Sequence, residues 1–474
     1  MAKRLYLTTT LPYVNADPHI GFALEIVHAD AYARYRRLSG DEVFFNTGTD
    51  EHGVKIYRQA LAAKKDPQAF TDEYAAKFDR LKEGLNLSYD NFIRTTDPKH
   101  KAAAQEFWKR CEAAGDIYKK AYKIKYCVGC ELEKTDSELV DGRCPIHPNL
   151  ELEIIDEENY FFRFSKYAPF LLKLYEERSD FVLPDFRFNE IQKFVERGLE
   201  DFSISRLKEK MPWGVPVPGD DSQVMYVWFD ALVNYISAIG WPSDEETFNS
   251  WWPVTQFAGK DQIRQQAAMW QAMLKSAGLS PSKQIIIHGF ITSGGAKMSK
   301  SLGNVINPFS IVDEYGTDAL RYYLLRHVHP FEDSDFTMEK MKEVYNGELA
   351  NGLGNLAARI MQLAQTHLPE PIARPEPKGF PISYTNALES FEMNRALDFV
   401  WGEIQKLDQK ITATEPFKLV KTDPEKGKTL IAELAAELYG IVRLLTPFMP
   451  DTSAILKEAI LANKKPENLF PRKE

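Results

Sequence analysis

The chain has 474 residues, with 59 Lys+Arg against 68 Asp+Glu and a formal net charge of −9. Its 44% hydrophobic and 27% charged residues belong to a globular protein, which excludes a disordered chain, a collagen-like chain and a small disulfide scaffold. The acidic balance provides no basic footprint for a nucleic-acid partner, although a local basic stripe can sit on an acidic surface.

At roughly 150 residues per domain the length predicts about three domains. Residues 4–10 read as a strand and lack the apolar core and cleavage site of a secretory signal. No stretch approaches the ~20 apolar residues of a membrane helix, so no membrane partner is expected and the cytoplasm is the expected compartment. After this strand, Ile20, Leu24, Val27, Ala31, Tyr35 and Leu38 recur at helical spacing. Gly40-Asp41 breaks the pattern and residues 43–47 form a second strand. Such a β-α-β unit predicts a doubly wound parallel sheet. Helices are expected near 67–85 and 98–114.

The texture changes near residue 116. Three of the four cysteines fall within residues 120–155, Pro/Gly-rich connections follow at 212–219, and sheet-like runs resume at 225–229, 256–259 and 284–288. Residues 116–224 thus read as an insertion between two halves of one sheet domain. From about 340 onward only helices are expected. Leu430, Leu434, Leu438, Ile441 and Leu445 mark one apolar face, stopped by Thr446-Pro447 and Met449-Pro450, and residues 369–381 are a loop.

Cys127-x-x-Cys130 is followed after thirteen residues by Cys144-x-x-His147. A reducing compartment disfavours disulfides, so clustered cysteines are read first as ligands. Two knuckles of two ligands suit one tetrahedral structural zinc. Cys111, alone on a helical pattern, reads as a buried small residue. Pro18-His19-Ile20-Gly21-Phe22 opens the first helix, where free N–H groups and the dipole favour phosphate. Taken alone, the motif also reads as a plain strand-to-helix turn with His19 as a helix cap. Lys297-Met298-Ser299-Lys300-Ser301 follows Ser293-Gly294-Gly295. Two lysines beside glycines and hydroxyls can clamp polyphosphate, or form a solvated loop.

The pair of motifs resembles the signature of class I aminoacyl-tRNA synthetases. Leu11-Pro12-Tyr13-Val14-Asn15, Gly48-Thr49-Asp50-Glu51-His52-Gly53, Tyr226-Val227-Trp228-Phe229-Asp230-Ala231-Leu232, Gly259-Lys260-Asp261 and Asn355-Leu356-Ala357-Ala358-Arg359 extend that likeness to the methionyl-tRNA synthetase family over essentially the whole chain. The resemblance implies a Rossmann-type doubly wound α/β sheet split by a zinc-binding insertion and followed by an all-α anticodon-binding bundle. It divides the chain into a first catalytic half (1–115), the zinc-bearing insertion (116–224), a second catalytic half (225–290), a stem-contact region carrying the lysine motif (291–344) and the helical region (345–474).

It further implies ligation of methionine to tRNA(Met) through a methionyl-adenylate, with ATP carrying Mg²⁺ and one structural Zn²⁺ on Cys127, Cys130, Cys144 and His147. His19, Gly21, Lys297 and Lys300 match the ATP-binding residues, and His19, Lys297 and Lys300 the catalytic ones. Leu11, Tyr13, Asp50, Trp228, Ala231, Tyr235, Gln262 and Gln266 fall at amino-acid-pocket positions. Asn355, Arg359 and Phe417 fall at anticodon-reading positions.

The sequence departs from the family at Phe22, where histidine is usual, at Gln262, where isoleucine is usual, and at Gln266, where a pocket histidine is usual. A hydrogen bond from Gln266 to the Tyr235 hydroxyl is expected to replace one made by that histidine. These departures leave two alternatives: a class I synthetase for another apolar amino acid, and a catalytically degenerate tRNA-binding protein. With the sequence ending at Glu474, shortly after the helical region, a monomer is expected.

Overall fold

The computed structural model describes residues 3–130, 132–298, 304–376 and 379–474. The N-terminal unit is the expected one: β1 (Arg4–Thr8), α1 (Ile20–Leu38) and β2 (Glu42–Thr49), with the two strands parallel. α1 is buried along most of its length, and Arg36 and Arg37 in its last turn complement the negative end of its dipole. β3 (Asn91–Arg94), β4 (Val182–Leu183), β5 (Val254–Gly259) and β6 (Gln284–His288) complete a six-stranded parallel sheet in the order β3-β2-β1-β5-β6-β4. The strand order reverses between β1 and β5. Open α/β sheets form their ligand crevice at such a point, outside the carboxyl ends of the strands.

Both faces of the sheet are covered. Leu5 and Leu7 of β1 point into one apolar core and Tyr6 into the other, as the two-residue period of a strand requires. The first core runs without interruption into the helical region. The second packs Phe107, Trp108 and Trp270 against Tyr6, Val254 and Ile285.

The stretch 116–224 is built on an antiparallel ribbon, Ile117–Cys127 against Glu153–Phe162. Leu132–Lys134 and Phe202–Ser203 flank it in a four-stranded sheet. The same stretch also supplies β4 to the edge of the main sheet, too short a strand for periodicity to reveal. The run at 225–229, expected as a sheet strand, is different. Asp220–Met225 belongs to a small antiparallel sheet with Pro216–Val217 and Ser205–Leu207, and the chain then enters the short helix α2 (Val227–Ala231). A brief apolar run fits a strand or a buried helix equally well, and here the helix wins. The helix expected over 67–85 is likewise divided into Pro67–Asp79 and Leu81–Gly84.

Among the described residues the chain is helical from Met338 to Leu461 apart from connecting turns. The elements used below are α3 (Thr317–Arg326), α4 (Asn355–His367), α5 (Met393–Thr414), α6 (Pro416–Thr422), α7 (Pro424–Leu445) and α8 (Pro450–Leu461). Ile431, Leu434, Leu438, Ile441 and Leu445 form the buried face of α7, each worth roughly 1.5–3 kcal/mol on burial. Leu430, expected in that stripe, is only half-buried, and its neighbour Ile431 takes the core position.

Arg321 on α3 joins the helical region to the sheet. Its side chain is fully buried and lies 2.7 Å from the equally buried Asp30 of α1. It also donates to the carbonyls of Leu85, Pro447 and Phe448 at 2.9–3.1 Å. Burial opposes the charge of Asp30, but Arg321 and Arg34 outweigh it and hold the carboxyl below its ordinary range. No helix among the described residues is long and apolar enough to cross a membrane.

Candidate active site and metal centre

A cleft of about 530 Å³ opens at the strand-order reversal. Leu11 and Tyr13 follow β1, Asp50 follows β2, Gln262 and Gln266 follow β5, Trp228 and Ala231 come from α2, and Tyr235 comes from the short helix Asn234–Ser237 after it. All eight expected pocket residues line this cleft, together with His19, Gly21 and Phe22. Tyr13 and Asp50 form an isolated parallel bridge, with Asp50 N donating to Pro12 O at 3.0 Å and Val14 N to Asp50 O at 3.2 Å. This fixes a 2%-exposed carboxylate beside an aromatic wall. The Tyr13 ring meets Trp228 edge-on at 6.1 Å. Trp228 Nε1, Asn234 Oδ1, Gln262 Oε1 and Gln265 Oε1 are buried at this cleft with no hydrogen-bond partner among the described residues. Orphaned polar atoms gathered on one cavity mark a ligand site.

His19 caps α1 with its own side chain: Nδ1 accepts from Gly21 N at 3.1 Å. A Cβ on residue 21 would lie 3.0 Å from the imidazole, so glycine is what lets the ring lie over the helix start. Because Nδ1 accepts, the neutral ring carries its proton on Nε2. Desolvation lowers the His19 pKa and favours that neutral donor. The ring therefore caps the helix and offers an N–H at once. Phe22 has no such role: it packs edge-on against Phe78 at 5.4 Å. Lys297 closes a two-residue strand paired with Ile291–Ser293. Its side chain and the whole of Lys300 lie outside the described residues.

The pocket floor holds the expected bond, with Gln266 Nε2 donating to the Tyr235 hydroxyl at 2.9 Å. Gln265 and Gln266 both reach the cleft from a π-helical turn, Gln265–Met269, a rare form that recurs at functional sites.

Sequence reasoning missed the pair beside it. Glu25 of α1 accepts from Thr10 N and Oγ1 at 2.6 Å and lies 2.7 Å from His288 Nε2. His288 Nδ1 meets Gly289 O at 2.7 Å, so both ring nitrogens face acceptors and the imidazolium is favoured. Burial pulls its pKa down, yet Glu25 outweighs burial and raises it. Burial and the nearby His288 push His28 down to about 4. A glutamate and a histidine within the apolar run of α1 were the available signal, because such residues are seldom buried without partners.

The metal-ligand set is assembled. One ligand atom from each of Cys127, Cys130, Cys144 and His147 lies within 4.8 Å of all the others. Cys130 Sγ and Cys144 Sγ are 3.7 Å apart, as are Cys127 Sγ and His147 Nδ1. A tetrahedron with ~2.3 Å zinc–sulfur bonds has edges of about 3.8 Å, so the residues fit zinc. A Cβ on Gly129 would lie 2.5 Å from the His147 ring, which accounts for glycine between the two cysteines. Four protein ligands leave no open position, so bound zinc ties the knuckle together and takes no part in a reaction step. The knuckle is also a wall of the cleft. Gly129, Cys130, Ile146 and His147 line it, and Lys55 reaches from beside the Tyr13 ring to Gly129 O at 3.3 Å. Elemental analysis of the purified chain is expected to return about one zinc, and Cys144→Ser close to none. A stably folded, metal-free protein would overturn the assignment.

Asn355 and Arg359 stand one turn apart at the start of α4, directly after a π-helical stretch, Tyr345–Gly354. Asn355 is exposed, and half-buried Arg359 pairs with Asp408 of α5 at 2.7 Å. Phe417, 46% exposed, sits on the separate short helix α6.

The family model described as tRNA synthetases class I (M) matches residues 5–154 and 138–361. The methionine–tRNA ligase of Thermotoga maritima is 42% identical over 98% of this chain and 76% of its own length. That of Nostoc sp. is 41% identical over 95% of this chain and 89% of its own. The solved structure of Mycobacterium tuberculosis methionyl-tRNA synthetase in complex with methionyl-adenylate matches 99% of this chain and 100% of its own, with a TM-score of 0.92 at 35% identity. The chain belongs to this class I tRNA synthetase (M) family, that of the methionine–tRNA ligases.

Proposed function

We propose that the chain ligates L-methionine to tRNA(Met) at the expense of ATP. The observation that carries this reading is one cleft holding an N–H donor at a helix start, a buried carboxylate and an aromatic-walled pocket. In the first step a methionine carboxylate oxygen attacks the α-phosphorus of ATP, taken up as its magnesium complex. The bond to the β-phosphate breaks and pyrophosphate leaves. In the second, the terminal ribose hydroxyl of the tRNA attacks the anhydride carbonyl and AMP leaves.

Phosphoryl transfer of this kind depends on alignment and charge neutralisation. His19 Nε2–H, at the positive end of α1, is placed to donate to a phosphate, and Gly21 keeps the backbone low beside it. Lys297 and Lys300 take the growing charge of the pyrophosphate. Asp50 holds the substrate ammonium group. Leu11, Tyr13, Trp228, Ala231 and Tyr235 enclose the thioether, for which aromatic contacts contribute roughly 0.3–1.5 kcal/mol. Gln262 and Gln266 trim that pocket. Asn355, Arg359 and Phe417 meet the anticodon, Phe417 by stacking. The five-part division of the chain, a monomeric state and a cytoplasmic location complete the reading.

The test is amino-acid-dependent ATP–pyrophosphate exchange. Methionine is expected to support it, and leucine or isoleucine to be roughly 10–200-fold poorer, the discrimination an apolar pocket attains through shape. No exchange with methionine would overturn the proposal. Faster exchange with leucine, isoleucine or cysteine would reassign the substrate.

A further inference from the structure

The helix α2 has only five residues, too few to hold its shape without tertiary contacts. It nevertheless carries Trp228 and Ala231 of the pocket wall. Behind that wall the Asp230 carboxylate of α2 is fully buried between two histidines from distant parts of the chain. Its Oδ2 lies 2.9 Å from His52 Nδ1, and its Oδ1 lies 3.3 Å from Nε2 of His100, on the helix Pro98–Ala113. Burial opposes the Asp230 charge, but His52 and His100 outweigh it and hold the carboxyl below its ordinary range. An ionised carboxylate only accepts, so each histidine gives it one N–H. The other nitrogen of His100, Nδ1, lies 3.0 Å from the hydroxyl of Ser237, which ends the short helix carrying Tyr235.

His52 stands two residues beyond Asp50, in a loop whose three side chains point three ways. Asp50 lines the cleft. Glu51 turns to the sheet, where it accepts from Arg94 Nε at 2.6 Å, from Arg94 Nη2 at 2.8 Å and from Thr49 Oγ1 at 2.7 Å. Its carbonyl takes the indole N–H of Trp213 at 2.6 Å, and that indole meets the His52 ring edge-on at 5.7 Å. The loop is therefore fixed to β3 at Glu51 and to α2 at His52. One buried carboxylate thus joins the loop that bears Asp50, the helix that bears Trp228 and, through His100, the helix that bears Tyr235. His52, Asp230, His100 and Ser237 do not themselves line the cleft.

We propose that His52, Asp230 and His100 are positioning residues that set the spacing between Asp50 and the aromatic wall, and thereby the length of amino acid the cleft accepts. The inference rests on the methionine reading above, in which Asp50 holds the ammonium group and Trp228 packs on the thioether end. Only a side chain that spans the fixed distance makes both contacts at once. The distance resists relaxation because a buried carboxylate that lost either histidine would be left partly uncompensated. Loosening at Asp230 weakens capture of the amino acid and admits a longer side chain. The phosphate end of the site, at the start of α1, belongs to another element and is left as it was.

The test compares methionine with ethionine, one methylene longer, by ATP–pyrophosphate exchange on the full chain. His52→Leu, which removes one donor, is expected to raise the KM for methionine about tenfold, with kcat and the KM for ATP within about twofold. The methionine-to-ethionine ratio of kcat/KM should fall about fivefold, since a pocket of fixed length discriminates a methylene and a loosened one does not. His52→Asn sets an amide N–H where Nδ1–H stood and should keep both quantities within about twofold of the unaltered chain. If His52→Leu does not fold, His100→Leu against His100→Gln, whose amide replaces Nε2–H, makes the same comparison. A folded leucine variant with unchanged methionine KM and ethionine ratio would overturn the proposal. So would an amide variant as impaired as the leucine one. Absence of methionine exchange in the unaltered chain would instead remove the functional reading, and the proposal with it.

Discussion

His19→Ala is expected to lower kcat for methionine-dependent ATP–pyrophosphate exchange by about 10²–10³-fold, the usual cost of removing one aligned donor from a site of developing charge. Nδ1 is occupied by the backbone of Gly21, so only Nε2–H is available, and partial desolvation lowers the pKa in the direction of the neutral ring. Alanine removes that donor and the side-chain cap together. The cap is worth only about 1 kcal/mol, which a chain of this size tolerates, so the melting curve should barely move. The KM for methionine should stay within about twofold, because Asp50, Trp228 and Tyr235 belong to other elements. A loss of kcat smaller than about threefold, or a matching rise in KM, would show that the imidazole does not act in the transition state.

Arg321→Met is expected to cost about 3–5 kcal/mol of stability, because it leaves Asp30 buried beside only part of its compensation. Methionine fills much of the volume, so the loss reports charge rather than packing. The carbonyls of Leu85, Pro447 and Phe448 lose their donor in the same change. Adding Asp30→Asn removes the uncompensated charge and should recover part of the loss. The pH dependence has a definite sign. Asp30 has a depressed folded pKa, so its contribution is present above the ordinary carboxylate range and is lost as pH falls through the depressed value. The cost of Arg321→Met should therefore shrink in acid. Urea unfolding of both variants checks this, and a single-variant loss below about 1 kcal/mol would refute it.

What the sequence revealed was what local spacing encodes. The β-α-β unit, the helix start at His19 and the four metal ligands each lie within one short stretch, and the structure assembles each. Distance along the chain hid the rest. Glu25 and His288 are 263 residues apart, and nothing near either names the other. Asp230 joins His52 and His100 across 178 and 130 residues of chain. The run at 225–229 was misplaced because five apolar residues carry no period long enough to separate strand from helix. β4 was invisible because its two residues join the sheet edge only through tertiary contact. Gln266 was the exception: the family resemblance placed it and Tyr235 at positions of one pocket, and the bond between them is there.

α1 starts at the His19 imidazole and is gripped at Asp30 by an arginine that also holds the turn before α8. Eleven residues of helix separate the two points, about 16 Å of rigid rod. No loop intervenes to absorb movement. How the helical half sits against the sheet therefore sets the position of His19 Nε2 at the other end of that rod. In a reaction where a 1 Å misplacement can cost about 100-fold, seating accuracy far from the chemistry becomes a kinetic quantity.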